Sequence, residues 1–100
     1  MAKNKLEIIT DIKTYIAGNG NKFNEWFVGV STDATASLLT QHKVDQKLDK
    51  WVFRTAPIPG IAKEVEYYFV KILGASGSET AADSTADKVY AYKKSDRTTP

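Results

Sequence analysis

The chain has no cysteine among its 100 residues. Disulfides, thiolate catalysis and cysteine-built zinc sites are excluded with it. It has one histidine, His42. Any metal site would therefore rest mostly on carboxylates and favour a hard ion such as magnesium. An excess of one charge is also lacking, since 14 basic against 12 acidic residues leave +2. Non-specific grip on nucleic acid needs clustered cations. Here the lysines are scattered, and the tightest groups are Lys43-Lys47-Lys50-Arg54 and Lys88-Lys93-Lys94-Arg97. No apolar run is long enough to span a bilayer, so no membrane partner is expected. The opening stretch MAKNKLEIIT has lysines with no apolar block behind them. That argues against a secretory signal and makes the cytoplasm the expected compartment.

What is present is ordinary globular material. Apolar content of 42% and charged content of 26% suffice for one modest core. One domain is expected over residues 1–94, with 95–100 as a flexible tail. KLEIITDIKTYIAG places Ile8, Ile9, Ile12, Tyr15 and Ile16 on one helical face, and GNGN supplies a left-handed stop. EWFVGVS is short, aromatic and β-branched, and reads as a buried strand. A short helix follows from about Thr32 or Asp33. WVFRTA is a second strand. PIPG breaks the chain, and Pro59 suits the first turn of the next helix. In that helix Ile61, Val65, Tyr68 and Ile72 form a stripe, widened by Ala62, Phe69 and Leu73, and Gly74 ends it. ASGSETAADSTAD reads as a mobile loop and KVYAYKK as a third strand. The expected fold is α/β (α+β), a small three-stranded sheet flanked by about three helices in the order α-β-α-β-α-β.

WFVGVS, a turn, a short helix and His42 together resemble the second half of a GIY-YIG nuclease module. In that family a strand ending in Tyr-Ile-Gly leads into a helix with an arginine and often a histidine. A later helix gives a glutamate that binds a divalent metal, and a tyrosine of the first strand helps activate water. Residues 25–73 carry the likeness. Phe27-Val28-Gly29 stands at the Tyr-Ile-Gly position, and His42 at the helix histidine. Glu66 stands at the glutamate, with Glu64 as its rival.

The chain departs from the pattern. Phe27 has no hydroxyl to offer. The arginine position falls near Ala36 or Ser37, and neither can stabilise charge on a transferring phosphoryl group. The preceding GIY strand is missing, because residues 6–16 have helical spacing. KVYAYKK would have to take its place and supply Tyr90 or Tyr92. Arg54 is the remaining substitute for the lost cation. The resemblance thus implies a degenerate member that binds nucleic acid or a protein partner. The alternative is a DNA endonuclease using Mg2+ or Mn2+ on Glu66, with His42, Arg54, Tyr90 and Tyr92.

Each residue also has a plainer reading. Glu66 sits at the edge of the apolar stripe, where its stem can cover the core. His42, at a helix end, can bond the last carbonyls. Ser31 or Ser37 with His42 lacks a nucleophile-elbow pattern. Gly29 lets a ligand or another backbone come close. Trp26 and Phe27 alternate across their strand, so both are core if both sheet faces are covered. Trp51 and Phe53 are stacking surfaces or core. Tyr67 points off the stripe and is the exposed aromatic.

Overall fold

The computed structural model describes residues 4–45, 47, 49–77, 86–95 and 98. Helix α1 (Lys5–Ala17) begins at a reciprocal cap. The Glu7 N–H donates to Asn4 Oδ1 at 2.8 Å, and the Asn4 N–H donates to Glu7 Oε1 at 3.1 Å. Ile8, Ile12 and Ile16 are buried, with Ile9 and Tyr15 beside them. The chain reverses through Gly20 (φ 112°) and Asn21 (φ 55°), where a left-handed backbone suits Gly and Asn.

Strand β1 (Trp26–Ser31) follows. Helix α2 (Ala34–Ala36) continues into one wide π-helical turn (Ser37–Gln41). Asp33 caps it, accepting from the Ala36 N–H at 3.1 Å. Strand β2 is Trp51–Thr55. Helix α3 (Pro59–Tyr67) opens on its proline and widens into a π turn (Tyr68–Ile72) before Gly74, at φ 87°. Strands β3 (Ser76–Gly77) and β4 (Lys88–Lys93) complete the chain.

The four strands form one mixed sheet in the order β2-β4-β1-β3. β4 is antiparallel to both β1 and β2, and β3 runs parallel to β1. The expected three-stranded sheet is therefore corrected to four, with β3 placed between α3 and β4. Composition hid β3, because Ser and Gly have weak strand preference. Its Gly77 is needed, since a Cβ there would meet Val70 Cγ2 and lie 2.8 Å from the Val28 carbonyl. Residues 78–85 of the expected loop lie outside the described residues, as do 96, 97, 99 and 100 of the expected tail. Within that tail, Ser95 Oγ reaches Asp49 Oδ1 at 3.1 Å and Thr98 is buried.

Strand alternation sorts the side chains into two cores. Trp26, Val28, Val52, Val89 and Ala91 face α1 and α3, where they meet the three isoleucines and Ala62, Val65 and Phe69. Phe27, Tyr90 and Tyr92 face the other way, under Ala34, Leu38 and Val44. The buried line of α3 is thus Ala62, Val65 and Phe69, while Ile72 is exposed. Among the described residues no helix is long and apolar enough to cross a membrane.

Candidate functional site

The second core is a ring of aromatics around a histidine. Gly29 stands opposite Tyr90 across the β1–β4 pairing. A Cβ on Gly29 would lie 2.6 Å from Tyr90 Cζ and 2.6 Å from its hydroxyl. The close approach read from Gly29 is therefore made by a tyrosine ring of the chain itself. Lying flat over Gly29, Tyr90 brings its hydroxyl 2.8 Å from His42 Nε2. The Tyr92 hydroxyl is 3.1 Å from His42 Nδ1. Phe27 closes the ring, with centroids 4.7 Å from His42 and 5.4 Å from Tyr92.

His42 arrives at this point because the π turn ends there. Its N–H bonds the Ser37 carbonyl at 3.1 Å, and Lys43 then turns left-handed at φ 59°. His42 stands at the helix end as expected, but its imidazole bonds two phenols. The serine nucleophile reading fails as well. Ser37 Oγ lies 2.7 Å from Ser31 Oγ, and the Asp33 N–H donates to Ser31 at 3.0 Å. These serines organise the start of α2, while His42 turns both nitrogens to tyrosines.

The chemistry open to this ring is limited. His42 is 8% exposed, Tyr90 4% and Tyr92 0%. An imidazole with one N–H donates at one nitrogen and accepts at the other, so the hydroxyls and the ring form a continuous chain. Burial pushes the Tyr90 phenol up to about 12, and the negative charge of Glu66 adds to the rise. Tyr92 is raised too, first by burial and then by Tyr90. Phenols held this firmly protonated are poor bases near neutral pH.

Glu66 comes from α3, which packs against β1 and β4. It is half-buried, and burial lifts its carboxyl to about 7, with Lys63 pulling the other way. Among the described residues no hydrogen bond or ion pair engages it, and no three His, Cys, Asp or Glu side chains converge to hold a metal ion. Glu64, its rival, is exposed and pairs with Lys5 at 3.0 Å.

Arg54 does not join the ring. It shares a sheet face with Val52 and pairs with Asp11 of α1 at 3.0 Å. Its Nη1 donates to the Phe53 carbonyl at 2.7 Å. Nor are Trp26 and Phe27 contact residues: they are 0% and 5% exposed. Trp26 packs edge-on to Tyr15, and its buried indole N–H has no hydrogen-bond partner among the described residues.

Comparison with family models, curated proteins and solved structures gave no match. Of Trp26, Phe27, Gly29 and Tyr67, Tyr67 alone is accessible, at 61%. It lines a groove of about 540 Å³ with Lys5, Lys63, Glu64, Tyr68 and Ile72. Five of these six residues lie on α3 and its π turn at helical spacing, and Lys5 of α1 closes the edge.

Proposed function

We propose that the chain is a GIY-YIG-like module that binds rather than cuts, and that its ligand at the α1–α3 groove is a protein segment. The observation that carries this reading is the pairing of Tyr67 and Ile72, each 61% exposed, on the groove wall. Large apolar side chains grouped on a surface mark contact sites more often than scattered ones do. The rim is basic. Lys63 forms no ion pair among the described residues, Glu64 is neutralised by Lys5, and Lys13 reaches over the Tyr68 ring at 5.7 Å. The partner that fits is an amphipathic helix with apolar anchors and flanking carboxylates.

The GIY-YIG kinship is supported by α3 lying against β1. Cleavage is disfavoured by Arg54 facing α1 and by the burial of His42 and both tyrosines. The test places a photoreactive residue at position 67, identifies the partner and titrates it in purified form. Tyr67→Ala and Lys63→Glu should each weaken that complex about tenfold. Unchanged affinity, or crosslinks identical to those from exposed Thr10 on α1, would overturn the reading.

The endonuclease alternative draws on one feature, the half-buried Glu66 on a helix packed against β1 and β4. It requires DNA nicking with Mg2+ or Mn2+ that Glu66→Gln abolishes. Purified protein that leaves supercoiled DNA intact with either ion would dismiss it.

A further inference from the structure

We infer that the outer strand of the second sheet face binds single-stranded nucleic acid, with Trp51 and Phe53 stacking on bases and Lys43, Lys47 and Lys50 meeting phosphates. β2 is the sheet's edge strand. Its Trp51 and Phe53 project on the same face as Tyr90 and Tyr92, but α2 covers the middle of the sheet and leaves both rings partly exposed. The two ring planes lie within 3° of each other, with centroids 6.5 Å apart. A strand laid along β2 therefore meets two rings of one orientation at successive positions. Leu39 is exposed beside Trp51 and widens the apolar floor.

The chain entering β2 supplies the charge. Lys43, Lys47 and Lys50 are exposed, and no ion pair engages them among the described residues. The acids of this segment are turned to structural work. Asp49 is buried and accepts from the Asp45 N–H at 2.7 Å and Ser95 Oγ at 3.1 Å. Asp45 accepts from the Lys47 N–H at 2.9 Å. Val44 packs in the second core, which seats this segment beside the face that carries the rings, and Lys50 stands at the entrance to β2.

Flat rings beside unneutralised cations suit unstacked bases on a phosphate chain. A duplex keeps its base faces internal and offers such rings nothing. Strand addition by a protein is the competing use of an edge, and here the edge backbone is partly occupied. The Trp51 N–H donates to the Tyr15 hydroxyl at 3.2 Å, and the Phe53 carbonyl accepts from Arg54.

The test titrates the whole chain with a short fluorescein-labelled oligodeoxythymidylate, following anisotropy and tryptophan emission. Trp26 is sealed in the first core, so quenching reports Trp51. Affinity should fall steeply with salt. Trp51→Ala and Phe53→Ala should each raise the dissociation constant about tenfold. Trp51→Phe should keep most of the affinity and lose the quenching, which separates lost stacking from lost folding. Lys47→Glu with Lys50→Glu should flatten the salt dependence, and Tyr67→Ala should change nothing. No anisotropy change at low salt would overturn the proposal. So would equal affinity for duplex, or binding indifferent to both aromatic substitutions.

Discussion

Tyr90 lies across Gly29 so closely that a single added methyl would stand 2.6 Å from its ring. The second core is built on this contact, because it lets the phenol reach His42.

Gly29→Ala should therefore cost about 2–3 kcal/mol in urea or thermal unfolding, by overpacking and not by backbone strain. Gly29 is not among the positive-φ glycines. In a double-mutant cycle with Tyr90→Leu the penalty should shrink. An unchanged penalty would mean that another neighbour sets it.

His42→Ala should cost about 2–4 kcal/mol, since it leaves a void and two buried hydroxyls without the imidazole. Tyr92→Phe removes one hydrogen bond and keeps the packing, so about 1 kcal/mol is expected. Denaturant midpoints on the three proteins check the order.

Glu66 predicts a pH dependence of stability. Its carboxyl ionises near 4.5 in the unfolded chain and near 7 in the folded one. Below about 4.5 both states are neutral and folding carries no penalty. Between the two values the unfolded chain ionises first, so stability falls as pH rises and the loss is complete above about 7. Solvent reaches part of the group, so the loss is roughly 1–2 kcal/mol. Glu66→Gln should remove this slope and raise the melting temperature at pH 8. A variant no more stable than wild type at pH 8 would contradict it.

Arg54→Ala should cost only about 0.5–1 kcal/mol, as expected for a partly exposed ion pair. It should leave nucleic acid and protein binding unaltered. A large loss of binding would reinstate this arginine as a functional cation.

Much of the fold was legible. The 8-12-16 spacing, the Pro59 start, the Gly74 stop and the Trp26/Phe27 alternation each follow from local chemistry, and the structure carries all four. What escaped was non-local. β3 owes its existence to a neighbour, β1, and not to its own residues. Helical spacing places Ile72 on the buried stripe, but the π turn shifts the helical phase over Tyr68–Ile72 and leaves it outside. His42 ends its helix as its sequence suggests, but its bonding to two phenols is hidden because they lie 48 and 50 positions away. Arg54 was read as a spare cation for the same reason, since Asp11 is 43 residues distant. In the α1–α3 groove only the approach of Lys5 is non-local, since the Lys63-to-Ile72 wall is one helical face.

The strand order β2-β4-β1-β3 has a consequence for synthesis. Strand β4, the last of the four in chain order, is the central plank that joins β1 to β2. Until residues 88–93 emerge from the ribosome, β1 and β2 have no strand to join them, and only the two-residue β3 can seat on β1. Assembly of the sheet should therefore wait for β4 and be governed by long-range closure. Nascent chains stalled before β4 should remain open to protease.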